Sequence, residues 1–284
     1  MQVNPAIIGI LIAASMATTA SFDPLLDVTY SSASWYAANK ETSYSNSSTA
    51  SRWTDFGIGG RTLGSAGAVQ GPYYRTNAIN SLPAFEFSAS MYVTASTPFT
   101  DLFFRANEQT VFLVFMETAL SANWWEKSLM ACDAGGGNNM KWIWGVNNTG
   151  QVIWECHYKP INCDNQFNSS ASAVAATTWT LADFTKTSGQ VVNSYINGTV
   201  AILSQTATCY PSVINAPFAV GWGEGTTSNT FTGKIAELLF YNSLLSASDR
   251  QKIEGYLAWK YGLQAKLPPA HPFLLSPPTS SRVV

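Results

Sequence analysis

From Ser21 to about Tyr241 the chain repeats one pattern: short runs rich in Val, Ile, Phe, Tyr, Trp and Thr, each closed by Gly, Asn, Pro or Ser. No helical periodicity intervenes. This constrains the fold more than any other feature, because alternating β/α architectures need an amphipathic helix between successive strands. Gln109 to Thr118 (QTVFLVFMET) is apolar at both alternating sets of positions and predicts a central strand buried on both faces. Met140 to Val146 (MKWIWGV), a turn at Asn147 to Gly150, and Gln151 to Glu155 (QVIWE) predict a hairpin. Val191 to Ile196, the pair Asn197-Gly198, and Thr199 to Leu203 predict a second, with a turn pair that tolerates positive φ at both central positions. Phe218 to Trp222 and Thr232 to Tyr241 continue the pattern. In the last run, alternation assigns Ile235, Glu237, Leu239 and Tyr241 to one face and Ala236, Leu238 and Phe240 to the other.

One helix is expected. Ser246 and Asp249 form a capping-box pattern, Ile253, Tyr256, Leu257 and Tyr261 share a face, and Gly262 stands where a C′ residue belongs. Gly255 and Ala258 keep the neighbouring faces small. The following LPPAHPF segment is extended by proline restriction, with His271 read as an exposed tail residue. No internal repeat or domain linker is visible.

Charge excludes several functions. Only 11% of residues are charged, 15 basic against 17 acidic, and the basic ones are scattered singly. A nucleic-acid surface needs several cations on one face, so no nucleic-acid partner is expected. The four cysteines, Cys132, Cys156, Cys163 and Cys209, contain no CxxC pair and the chain has two histidines, so a zinc site is not expected either. Their even number permits disulfides. Cys156 and Cys163 bracket a hexapeptide containing Pro160, which predicts a bond between them, with Cys132–Cys209 as the second pair.

The first 22 residues carry no charge, and Pro5 to Met16 (PAIIGILIAASM) is strongly apolar. A signal peptide has an apolar run of this length but normally a basic n-region, absent here. A membrane span wants about 20 apolar residues, and Ser and Thr interrupt this one early; membrane contact by the leader stays open. The third reading is burial against partner chains. Ile7, Ile8, Ile10, Leu11 and Ile12 would each gain roughly 1.5–3 kcal/mol on full burial, which makes them the expected assembly anchor.

Several segments together are similar to concanavalin A/laminin-G-like domains. The resemblance is carried by FTGKIAELLFYN from Phe231, Leu244–Leu245, Asp249-Arg-Gln, and IEGYLAWKYGL from Ile253. Earlier segments agree: Phe22-Asp-Pro, Trp35-Tyr-Ala-Ala, Arg52-Trp-Thr-Asp, NSLPAFEF from Asn80, and the Tyr195-Ile-Asn-Gly198 turn. The resemblance implies an all-β fold: a two-sheet antiparallel jelly-roll sandwich with one short C-terminal helix. It divides the chain into a leader (1–21), a sandwich (22–273) and a tail (274–284). Such domains are frequent in tail, fibre and capsid-associated proteins of phages and large DNA viruses. The implied function is therefore a non-enzymatic structural or decoration protein of a virion, with other virion subunits and glycans as partners. The alternative is a secreted or cell-surface lectin-like module, and a glycoside hydrolase of the same fold comes third.

The residues themselves offer little chemistry. Retaining glucanases of this fold place two carboxylates in an E-x-D-x-x-E strand, and here no two acidic residues stand two apart. No catalytic residue is expected. His157 and Cys156 are adjacent, so on a strand they point to opposite faces. Five tryptophans fall between Trp124 and Trp154; Trp142, Trp144 and Trp154 read as core, whereas Trp124 and Trp125 read as exposed rings able to stack on a sugar. Asp133 and Asn138, around Gly135-Gly-Gly137, supply oxygen ligands suited to calcium, against the plainer reading of a flexible turn. The sequons at Asn46, Asn147, Asn168 and Asn197 match chance expectation.

Overall fold

The computed structural model describes residues 19–30, 32–65, 70–88, 91–95, 108–120, 127–133, 140–158, 163–208, 218–222 and 230–283. Among them the strands are β1 (Thr19–Ser21), β2 (Ala33–Ala37), β3 (Arg52–Trp53), β4 (Leu63–Gly64), β5 (Tyr73–Ile79) and β6 (Leu82–Phe87). Next come β7 (Val93–Ala95), β8 (Gln109–Glu117), β9 (Lys127–Asp133), β10 (Met140–Val146), β11 (Val152–Tyr158) and β12 (Cys163–Asn168). The last are β13 (Thr180–Lys186), β14 (Val191–Ile196), β15 (Thr199–Thr206), β16 (Phe218–Val220), β17 (Gly233–Tyr241) and β18 (Thr279–Val283), with helix α1 (Ala247–Lys260) between β17 and β18.

Two antiparallel eight-stranded sheets face each other. One runs β12-β11-β10-β9-β16-β7-β4-β3; the other runs β15-β14-β13-β8-β17-β6-β5, with β2 also pairing β17. Both expected hairpins form, β10–β11 and β14–β15, and Asn197 (φ 50°) and Gly198 (φ 76°) give the second the doubly positive turn its residues favour. Between the sheets lie Trp53, Phe85, Leu113, Phe115, Trp142, Trp144, Trp154, Phe184 and Phe240, so the three tryptophans expected in the core are there. Phe184 is the hub for two of them, with ring centroids 5.6 Å from Trp142 and 5.0 Å from Trp144.

The second sheet is buried on its other face too. Phe112, Val114, Leu239 and Tyr241 pack there against Phe22, Trp35, Ile253, Leu257 and Tyr261. This explains why β8 is apolar at every alternating position: odd residues meet the facing sheet, even ones meet α1. The helix ends as its sequence dictates. The Ser246 hydroxyl accepts the Asp249 N–H at 3.0 Å, while Leu263 N–H reaches Ala258 O at 2.7 Å around Gly262 (φ 68°), closing a Schellman turn.

In three places the structure departs from the sequence reading. β17 does not alternate throughout: a bulge between Ile235 and Glu237 leaves Ile235 on the same side as Leu238 and Phe240, and Ala236 with Leu239 and Tyr241. The bulge aims Glu237 toward α1, where its buried carboxylate accepts from Trp35 Nε1 at 2.7 Å and Tyr261 Oη at 2.6 Å and pairs with Lys260. His271 is buried, not an exposed tail residue: Phe273 packs against Gly255, and Trp259 Nε1 holds Phe273 O at 2.8 Å, strapping the proline segment across the helix. Within the segment read as a tail, β18 pairs antiparallel with β1. Asp27 ties this ribbon to the domain, accepting from Ser280 Oγ at 2.7 Å and Arg282 Nε at 3.0 Å. The leader anchor residues Ile7, Ile8, Ile10, Leu11 and Ile12 lie outside the described residues; among the described ones, no helix is long and apolar enough to cross a membrane.

Candidate functional site

Helix α1 covers the outer face of one sheet. On the outward face of the β12-to-β3 sheet the central residues Ala131, Ile143, Ile153 and Ala219 are buried as well. Among the described residues, polar and aromatic groups therefore come to the surface only toward the two sides of this sheet. Its register aligns one full cross-strand row: Gln166, Glu155, Ile143, Ala131, Ala219, Thr94, Gly64 and Arg52, one residue per strand. The middle of the row is small or apolar and buried at Ile143, Ala131 and Ala219, and both ends are polar. A neighbouring row contains Asp164, His157, Lys141 and Asp133.

At the β11–β12 end the two rows bring Glu155, His157 and Asp164 together. Glu155 and His157 are two apart on β11 and so share a face, and Asp164 stands directly opposite His157. One ligand atom from each lies within 4.8 Å of the other two, and His157 Nδ1 is 3.6 Å from Asp164 Oδ2. Glu155 is buried, His157 half-buried and Asp164 exposed, so the cluster grades from protein to solvent. Toward the other side of the sheet, half-buried Tyr92 and Trp222 stack with centroids 5.3 Å apart and planes at 22°. Tyr92 precedes Val93, a core residue of β7, so alternation gives it the outward face shared by Thr94.

The residues singled out from the sequence fare unevenly. Trp124, Trp125 and Asn138, and the side chain of Asp133, lie outside the described residues. The backbone register sets Asp133 two strands from His157. The expected disulfides are corrected: Cys132 and Cys156 are buried thiols and Cys163 is disulfide-bonded, which excludes both Cys156–Cys163 and Cys132–Cys209. Cys209, the remaining cysteine, lies outside the described residues. The reason is register. Cys163 pairs with Tyr158 and Cys156 with Asn165, so the two cysteines are diagonal neighbours, whose Cα atoms lie about 7–8 Å apart, beyond disulfide reach. Three sequon asparagines serve the fold: Asn46 Oδ1 accepts from Thr76 N–H at 3.2 Å, Asn147 Oδ1 from Thr149 N–H and Gln151 N–H, both at 3.0 Å, and Asn197 Oδ1 from Leu181 N–H at 3.1 Å.

The two facing antiparallel sheets and the helix near the C-terminus define a concanavalin A-like sandwich. The chain belongs to the concanavalin A-like lectin/glucanases superfamily, whose laminin G-type family model matches residues 87–249. No curated protein matches it. Among solved structures it is similar to the binding domain of Paraclostridial Mosquitocidal Protein 1, with TM-score 0.58 and 11% identity over 82% of this chain and 53% of that one. The receptor binding domain of botulinum neurotoxin D gives 0.54 and 15%, over 79% of this chain and 52% of that one. Domain 4 of AbnA, an extracellular arabinanase from Geobacillus stearothermophilus in complex with arabinotriose, gives 0.50 and 17%, over 78% and 97%. The chain thus spans about half the length of the first of these, and the likenesses show the fold.

Proposed function

We propose that this protein is a non-enzymatic carbohydrate-binding module whose ligand surface is the Tyr92–Trp222 side of the β12-to-β3 sheet. The observation that carries this reading is the Tyr92–Trp222 stack beside a row whose ends are polar. Aromatic faces take the apolar face of a sugar, and flanking amides and carboxylates take its hydroxyls. The fold is shared with a domain solved with arabinotriose, which supports the ligand class. Against hydrolysis, Glu155 and Asp164 do approach each other, but His157 occupies the same few ångströms, where two catalytic carboxyls would have to flank a sugar ring. A glycan array tests the reading: wild type should retain glycans, and W222A and Y92A should lose most binding while keeping the wild-type melting temperature. Absence of retained glycans, or binding indifferent to both substitutions, would overturn it.

A second reading, assembly on a virion and hence a virion location, draws on the apolar leader and on where it joins the fold. Ser21 and Phe22 line an apolar cavity of about 490 Å³ with Tyr256, Trp259, Pro277 and Pro278. On this reading the leader anchors the sandwich to neighbouring subunits, leaving the glycan surface displayed. Protein lacking residues 1–20 should fold but no longer enter the particle; normal incorporation would remove this reading.

A further inference from the structure

We propose that Glu155, His157 and Asp164 bind one divalent first-row transition-metal ion of the zinc class. The inference stands apart from the glycan reading, since it rests on a different cluster and is tested without sugar. Three features of the backbone prepare the site. Glu155 and His157 sit at i and i+2 of β11, which points both side chains outward, and the β11–β12 ladder brings Asp164 opposite His157 from the adjacent strand. All three therefore project from paired strands, which hold positions more closely than loops do. Burial at 6% exposure restricts the rotamers of Glu155.

The distances suit a small ion. Bonds of about 2.0–2.2 Å in tetrahedral geometry place ligand atoms roughly 3.3–3.6 Å apart. His157 Nδ1 and Asp164 Oδ2 already stand at 3.6 Å, and no ligand-atom pair in the trio exceeds 4.8 Å, so rotation of side chains brings the rest into range. The donor set selects the metal. An imidazole nitrogen with two carboxylates suits zinc, manganese or cobalt, whereas calcium takes six to eight oxygens and magnesium keeps its waters. Two carboxylates neutralise the ion's charge. Asp164 is exposed, so the fourth position opens toward solvent and accepts water or an oxygen ligand. Scarcity of cysteine and histidine pairs argued against zinc from sequence, yet that argument concerns sites closed by thiolates and imidazoles. This one needs a single histidine.

The test uses the full chain stripped with EDTA and titrated with Zn2+ by calorimetry, then with Co2+ by visible absorption. One equivalent of Zn2+ should bind, excess Ca2+ should not displace it, and Co2+ should give the intense bands of four-coordinate geometry. H157Q and D164N should each weaken binding by more than about 100-fold and abolish the cobalt bands, with circular dichroism unchanged. Binding equally tight in both variants would place the ion elsewhere and overturn the proposal, as would no Zn2+ binding by wild type or displacement by Ca2+. Should either variant unfold, E155Q carries the same comparison.

Discussion

Beneath α1 lies a buried charge cluster whose disruption can be worked out in advance. Arg250 stacks its guanidinium 3.6 Å from the Tyr195 ring centroid, pairs with Glu254, and reaches Asp183 Oδ2 at 3.5 Å. His271 completes the group: Phe273 N–H donates to its Nδ1 at 3.2 Å, so the neutral ring carries its proton on Nε2 and donates to Glu254 Oε2 at 3.0 Å. Burial, and then the nearby Glu254 charge, push Asp183 well above the usual carboxylate range, against the pull of Arg250. Replacing Arg250 with Met keeps volume but leaves two carboxyls facing each other without a cation. Breaking a buried pair in this way costs about 3–5 kcal/mol, with lost cation–π attraction of about 2 kcal/mol overlapping it. With a urea slope of about 3 kcal/mol/M, the unfolding midpoint should fall by roughly 1–1.7 M. The sign of the pH dependence is diagnostic. Asp183 is raised in the fold, so its contribution is most favourable below the ordinary carboxylate pKa and is lost as pH rises; the R250M deficit should therefore shrink on acidification. The triple variant R250M/D183L/E254Q should recover most of the loss. A deficit below about 1 kcal/mol, or one that does not change with pH, would refute the account, because a purely steric effect of losing Arg250 would not titrate.

Other outcomes follow from the same structure. Burial depresses Lys186 to about 8, although Cys156 and Glu108 pull the other way; between pH 8 and 10 the unfolded chain holds the proton that the fold does not, so stability should rise across that window, and K186M should remove the rise. Asp27 is held at about 2: burial opposes ionisation, but hydrogen bonds from Arg282, Ser280 and the Asp23 N–H outweigh it. Its stabilising contribution is present above pH 4 and lost as pH falls toward 2, so hydrogen exchange in β1 and β18 should accelerate there before it does in the sandwich, and D27N should abolish that early step. Alkylation of the unfolded, unreduced chain should label Cys132 and Cys156 but not Cys163, and a labelled Cys163 would contradict the bonding described. Incubation with β-glucan, alginate or arabinan should release no sugar above a buffer blank; release lost on E155Q would reverse the non-enzymatic reading.

What the sequence revealed was local. Asn197-Gly198 encodes its own turn, Ser246 and Gly262 encode the ends of α1, and the unbroken apolarity of Gln109 to Thr118 encodes a strand between two layers. What it concealed depends on register and on long-range packing. The β17 bulge changes the face of Ile235 without any glycine or proline to announce it. His271 is buried because Phe273 finds Gly255, a meeting no local pattern specifies. Trp222 reads in sequence as the end of a strand, and its stacking on Tyr92 joins residues 130 positions apart. The Glu155, His157 and Asp164 cluster was within reach: assuming a four-residue connection after Tyr158 pairs it with Cys163, which aligns His157 with Asp164. The same alignment would have ruled out the Cys156–Cys163 bond.

The β1–β18 ribbon governs how the domain answers mechanical load. Thr19 pairs with Val283 and Ser21 with Thr279, so tension applied through the chain segments beyond Thr19 and Val283 enters the molecule at a single point. The antiparallel pairing is then loaded in unzipping geometry, one rung at a time, and not in shear. The ribbon should part before the sheets behind it, with the Asp27–Arg282 pair, beside the rung where the load enters, as the catch that must open first. A domain tethered through both of these chain segments would gain a short extensible leash, and the sandwich would keep its shape as the leash pays out.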